Sequence, residues 1–163
     1  MNLACLNTRG LNLAHKREEV RALVLDNKVS LLGLVKTRVR YSNFSSISRS
    51  LLKGWKVLAN YNHHHNGRIW VLWDPNIVDV CLLFSSSQVI HVSVMVLEKQ
   101  INFLASFTYA FKSYIDHIPL WELIRLATPT MEAPLTILED FNVVRFPHEK
   151  VGGSFLAILY GGL

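Results

Sequence analysis

An α+β domain is what this sequence predicts. Three observations predict it: a strand–helix–strand opening, a run of antiparallel-type strands from Trp55 onward, and a helix and strand at the far end. Residues 3–7 read as a short buried strand, which Gly10 ends. Asn12 is placed to cap a helix over residues 13–27, where Val20, Leu23 and Val24 form an apolar stripe. Val29–Val35 is a continuous apolar run, the pattern of a strand buried on both faces, so the opening reads as a βαβ unit. The Ser-rich stretch Ser42–Ser50 reads as a loop or short helix before Gly54.

Alternation then takes over. Trp55–Tyr61 and Arg68–Asp74 flank Asn62-His63-His64-His65-Asn66-Gly67, and Asn-Gly is a strong hairpin signal. Asp74-Pro75-Asn76 is a turn, followed by a strand over Ile77–Phe84. Val89–Leu97 and Gln100–Tyr109 are long β-rich runs joined as a hairpin at Glu98-Lys99. Ile115–Ala127 carries Leu120, Leu123, Ile124 and Ala127 at helical spacing, with Pro119 tolerable only near the first turn. Leu135–Phe141 is the final predicted strand.

The chain of 163 residues is long enough for one substantial core, and its half-hydrophobic composition excludes a disordered protein. Seventeen Lys and Arg against twelve Asp and Glu give a formal charge of +5, compatible with nucleic-acid binding. The basic residues are scattered, so charge by itself speaks only for solubility. Cys5 and Cys81 make no disulfide framework, and a reduced intracellular compartment, nucleus or cytoplasm, is expected. Arg9 and the Asn residues interrupt the N-terminus before a signal peptide can form, and no stretch reaches the ~18 apolar residues of a membrane span.

Asp140 and Asn142 stand two apart at the end of the last strand, a spacing that directs both side chains to one side. A carboxylate beside a carboxamide holds a water and a phosphate oxygen together, which points to phosphoester chemistry. Asn7 precedes Arg9-Gly10 at the end of the first strand, and Tyr109 closes a long one. Singly, each is explained as a turn residue, a core aromatic or a strand end. In this order, all at strand ends, they predict a shared site at one rim of a sheet. His63, His64 and His65 do not predict a metal site: adjacent residues in an extended segment face opposite ways, and the cysteines supply no partners at zinc spacing.

Six segments carry a resemblance: LNTRGLN at 6–12, KREEVRALVLDNKVSLLGLVKTRV at 16–39, NGRIWVLWDP at 66–75, FTYAF at 107–111, PLWELI at 119–124 and EDFNVVRFPHEKVGGS at 139–154. Through them the chain resembles the endonuclease/exonuclease/phosphatase superfamily. The similarity is to the apurinic-type endonuclease domain of plant LINE-like (non-LTR) retrotransposon proteins, where a reverse transcriptase follows. The resemblance implies a four-layer α/β sandwich of the DNase I-like type and Mg²⁺-dependent cutting of DNA. It implies that Asn7 and Asp140 belong to the metal and phosphate shell. It also implies that Tyr109 contacts the scissile phosphate, that Asp140 aligns the attacking water, and that Asn142 is the amide beside it.

The same resemblance marks departures. Lys36 occupies the position of the family's glutamate, a principal Mg²⁺ ligand, and an ammonium repels the cation that ligand would bind. Glu139 and Ala110 replace glycines next to the Asp and the Tyr. The family's second half, with its essential histidine, has no counterpart. The expected organisation is therefore a partial domain over 1–154 and an unrelated apolar tail over 155–163, catalytically inactive. A non-catalytic nucleic-acid- or protein-binding remnant is the alternative, and a partner chain supplying the other half would be needed for activity. Two further expectations follow. The Lys36 ammonium should lie near Asp140 or Glu139 at the ends of neighbouring strands. Phe103, Phe107, Val92 and Val94 should lack packing partners, leaving an exposed sheet face that self-associates.

Overall fold

The computed structural model describes residues 1–111, 113–127 and 133–142. Along the chain, β1 (Asn2–Asn7), α1 (Ala14–Asp26) and β2 (Val29–Val35) form the expected βαβ unit, with β1 and β2 parallel. Next come α2 (Tyr41–Leu51), β3 (Lys56–Ala59) and β4 (Ile69–Trp73), and then β5 (Val78–Ser85), β6 (Val89–Val96) and β7 (Ile101–Tyr109). The chain closes with α3 (Tyr114–Ala127) and β8 (Leu135–Asp140). Two four-stranded sheets result, ordered β1-β2-β4-β3 and β5-β6-β7-β8. The proposed tail 155–163 and most of the segment 139–154 lie outside the described residues.

The sheets stack face to face. Alternation in β2 and β4 sends Leu31, Val35, Ile69, Val71 and Trp73 inward, against Ile90, Val92, Val94, Ala105 and Phe107 of the second sheet. The other face of β2 and β4, with Leu32, Leu34, Trp70 and Leu72, is covered by Val20 and Val24 of α1 and Leu51 of α2. That is why every residue of β2 is buried and its sequence does not alternate. On the far side, Leu120 of α3 packs with Val89 and Ala110 against the second sheet. The order helix–sheet–sheet–helix makes four layers.

One close approach fixes how near the sheets come. A Cβ on Gly33 would lie 2.1 Å from Phe107 Cδ1, so the Phe107 ring rests on bare backbone at the centre of the sandwich.

Several expectations change. Val92, Val94 and Phe107 are fully buried and Phe103 packs against the same cluster, because β2 and β4 already cover that face. The expected unpartnered sheet face is not there. Asn12 does not cap α1: its amide donates to the Arg38 carbonyl at 2.9 Å, and Leu13 stands at the cap position without a side-chain bond. The Ser-rich stretch is helical throughout as α2. Arg21 of α1 serves its C-terminal end, donating to the carbonyls of Ser50 at 2.8 Å and Leu51 at 3.0 Å. Pro119 sits in the second turn of α3, not the first. Among the described residues no helix is long and apolar enough to cross a membrane.

His91 and Ser106 are cross-strand partners on the outer face of the second sheet, joined by a 2.7 Å Nδ1···Oγ bond and nearly inaccessible to solvent. Burial pushes the His91 imidazole below its usual 6.5. The unfolded chain therefore takes up the proton first as pH falls. This contribution to stability is present above pH 6.5 and is lost as pH drops below it, through the folded-state value. A urea series between about pH 7 and pH 5 should show the decline, and His91→Asn, which keeps a polar atom near Nδ1, should flatten it. An unchanged slope in His91→Asn would assign the pH dependence to other groups.

Candidate active-site rim between the two sheets

Five strand ends meet at one rim of the sandwich. β1 delivers Asn7, β2 delivers Lys36, the start of β4 follows Arg68, β7 ends on Tyr109, and β8 ends on Asp140 with Asn142 just beyond. Parallel pairing of β1 with β2 and of β7 with β8 puts these C-terminal ends at the same level. The site thus lies between sheets and not along the rim of one. Lys36 and Asp140 do not sit on neighbouring strands, since β2 and β8 belong to different sheets.

The Lys36 ammonium is the centre of the arrangement. Its Nζ is 2.9 Å from Asp140 Oδ2 and donates to Asn142 Oδ1 at 2.9 Å. It also stands 5.1 Å from the centroid of the Tyr109 ring. The side chains of Lys36 and Asp140 are only 19% and 20% exposed, so the charges are shielded from water and from salt. Asn7 approaches Asp140 from β1, with Nδ2 donating to Oδ2 at 2.6 Å. The second carboxylate oxygen, Oδ1, accepts from the Asn142 backbone N–H at 3.1 Å, and the Asn142 amide donates onward to the Ala110 carbonyl. Asp140 therefore receives three donors from three segments of chain. Asn7 Oδ1, by contrast, is buried with no partner among the described residues.

Backbone geometry cooperates. Lys36 and Asn142 adopt left-handed conformations with φ of 56° and 52°, as do Arg9 at 53° and Arg38 at 52° in the adjoining loops. For a non-glycine residue that conformation costs roughly 1–2 kcal/mol, and the contacts just described hold Lys36 and Asn142 in it. Asn142 meets Asp140 through this tight turn and not through strand alternation.

Arg68 and Gln88 were not singled out by sequence. The Arg68 guanidinium lies 5.6 Å from the centroids of both Tyr109 and Phe111, and no carboxylate pairs with it among the described residues. Gln88 holds the end of β7: its carbonyl accepts from Tyr109 N at 2.9 Å, its Oε1 accepts from Phe111 N at 2.7 Å, and its Nε2 donates to the Asp116 carbonyl of α3 at 2.8 Å. An isolated Gln between Ser87 and Val89 carries no signal, because its task depends on a strand end some twenty residues away.

The residues present do not fit a divalent metal. An ammonium occupies the space among Asp140, Asn142 and Tyr109 where a cation would sit. Among the described residues no group of three or more His, Cys, Asp or Glu gathers to hold an ion. The Cys5 thiol behind the site is pushed up to about 11 by burial and by the Asp140 carboxylate, so at neutral pH it is not a thiolate ligand. In the histidine loop, His63 Nε2 bonds Ser85 Oγ at 3.0 Å, and His64 stacks on His65 with ring centroids 4.6 Å apart.

No protein-family model and no curated protein matches the chain. Solved structures do match. An endonuclease/exonuclease/phosphatase family protein from Bacteroides thetaiotaomicron superposes with a TM-score of 0.66 at 9% identity, over 88% of this chain and 64% of its own. The endonuclease domain of TRAS1, a telomere-specific non-LTR retrotransposon, gives 0.64 at 12% identity, over 86% of this chain and 58% of its own. D. rerio TDP2, complexed with single-strand DNA product, gives 0.62 at 9% identity, over 87% and 60%. The fold is therefore the DNase I-like sandwich of the endonuclease/exonuclease/phosphatase type, and this chain spans about three-fifths of the length of these structures.

Proposed function

We propose that the chain is a partial, nuclease-like domain of plant LINE-type retrotransposon origin that contacts nucleic-acid phosphates without cutting them. Support for the origin comes from the sequence segments and from the TRAS1 endonuclease domain among structures of the same fold. The observation that carries the loss of cutting is the Lys36 ammonium 2.9 Å from Asp140. Asp140, the residue proposed to align an attacking water, is committed to Lys36, Asn7 and the Asn142 backbone.

What remains suits an anion better than a cation. Arg68 presents a guanidinium against two aromatic rings, Tyr109 is the proposed phosphate contact, and Arg9 and Arg38 project from loops at the same rim. A nuclear or cytoplasmic location goes with this reading. Self-association is proposed to run through β5, an edge strand among the described residues whose Leu82, Leu83 and Phe84 are exposed.

Plasmid and abasic-site DNA incubated with the purified chain in Mg²⁺ or Mn²⁺ should show no nicking above an Asp140→Ala control. In mobility-shift assays over a salt series, duplex DNA should bind more weakly as salt rises. Arg68→Gln should lower affinity several-fold and reduce the salt slope by about one. Metal-dependent nicking that disappears in Asp140→Ala would overturn the inactive reading. Binding untouched by Arg68→Gln would remove the site from the interaction.

A further inference from the structure

We infer that Lys36 is a tethered, permanent replacement for a bound cation, and that this single side chain decides whether the rim takes a divalent metal. Asp140 Oδ2 and Asn142 Oδ1 come from the end of β8 and the turn after it, and both lie 2.9 Å from one Nζ. The π face of Tyr109 closes a third direction at 5.1 Å. An ammonium has three hydrogens, and these three acceptors use them.

A carboxylate oxygen and an amide oxygen converging on one point are hard-cation ligands, and Asn7 adds a buried amide oxygen without a partner beside the same carboxylate. Lys36 sits between the Asp140 and Asn142 oxygens with a charge tethered to the backbone, and Asn7 Oδ1 makes no hydrogen bond to it. Lys36 also joins the two sheets, since it belongs to the first and Asp140 to the second. A metal bridging the same oxygens would make the same joint. The strained left-handed backbone at Lys36 is where its side chain must turn to reach across.

Two consequences follow. The chain needs no divalent ion to order this rim. Exchanging Lys36 for a carboxylate removes the occupant and supplies another oxygen ligand in one step, so Lys36→Glu should create a divalent-cation site. The inference deepens the nuclease-like reading and rests on it for the comparison with a metal-dependent fold. Its readout is metal binding and stability, so a failure of DNA binding would leave it standing.

The test is calorimetric titration of Mn²⁺ and thermal unfolding in EDTA or Mn²⁺, applied to the full chain and to Lys36→Glu and Lys36→Arg. The full chain should show no saturable Mn²⁺ binding and the same unfolding midpoint in both solutions. Lys36→Glu should lose roughly 5 °C in EDTA, regain most of it in millimolar Mn²⁺, and bind one equivalent. Lys36→Arg, which keeps the charge, should stay indifferent to Mn²⁺ and hold the measurement if Lys36→Glu does not fold. Saturable Mn²⁺ binding to the full chain or to Lys36→Arg overturns the inference. So does a folded Lys36→Glu that Mn²⁺ neither binds nor stabilises.

Discussion

Gly33→Val is expected to leave no folded, soluble protein. Even the single Cβ of Gly33→Ala would lie 2.1 Å from Phe107 Cδ1 and 2.7 Å from Cε1, inside any permissible contact. Phe107 cannot step aside, because it is fully buried in the inter-sheet core that also holds Val35 and Val71, and its strand is paired on both sides. The alternatives are to force the sheets apart or to drive the ring off its rotamer, and overpacking of this kind costs about 1–3 kcal/mol or more. Gly33→Ala should therefore unfold at a clearly lower urea concentration than the parent, by about 3 kcal/mol. Gly33→Val, with two more methyl groups, exceeds what a marginally stable domain absorbs. The check is a double substitution. Phe107→Leu removes the atoms that clash, so Gly33→Ala/Phe107→Leu should be more stable than the two single losses added together. Simple additivity would mean that the sheets yield elsewhere.

Asp140→Ala is expected to cost about 3 kcal/mol, at the low end for removing one partner of a buried ion pair because both side chains keep a fifth of their surface exposed. Three groups lose their acceptor together: the Lys36 ammonium, the Asn7 amide and the Asn142 backbone N–H. The ammonium is the costly one, since it stays trapped beside Tyr109 with only Asn142 Oδ1 as partner. Asp140→Asn keeps acceptors and should lose less. Lys36→Met in the Asp140→Ala background should recover part of the deficit, because it removes the stranded charge. Urea denaturation of the four proteins measures this coupling, and a double variant no more stable than Asp140→Ala would show that Lys36 simply reaches solvent. Sodium chloride should hardly change the parent's stability, as the pair is shielded.

Much of this molecule is local, and the local part was legible. The all-apolar β2, the Asn66-Gly67 hairpin and the alternating β6 and β7 are dictated by short-range periodicity and turn geometry, and they occur where those rules place them. Asn7, Tyr109, Asp140 and Asn142 were legible as residues at strand ends, and the structure brings Asn7, Asp140 and Asn142 into one hydrogen-bonded group with Lys36 beside Tyr109. Lys36 was legible as a cation just past the end of an all-apolar strand.

The tertiary structure decided the rest. Asn12 was expected at a helix cap because its neighbours along the chain are helical. Its amide goes instead to the Arg38 carbonyl, twenty-six residues away, which folding brings closer than the helix end. Val92, Val94 and Phe107 were expected to be uncovered, yet β2 and β4 lie over them. Which sheet covers which is a property of stacking that no window along the chain contains. Gln88 and Arg68 gained their places only when β7 ended beside them. The sequence alone determined the elements, the residue types at their ends and the sign of the charge at position 36, because these follow from nearest neighbours and side-chain chemistry. Only the stacking of two sheets decided that Lys36 and Asp140 meet from opposite sides of the sandwich. A contact spanning 104 residues is paid for by the whole core and by no segment of it.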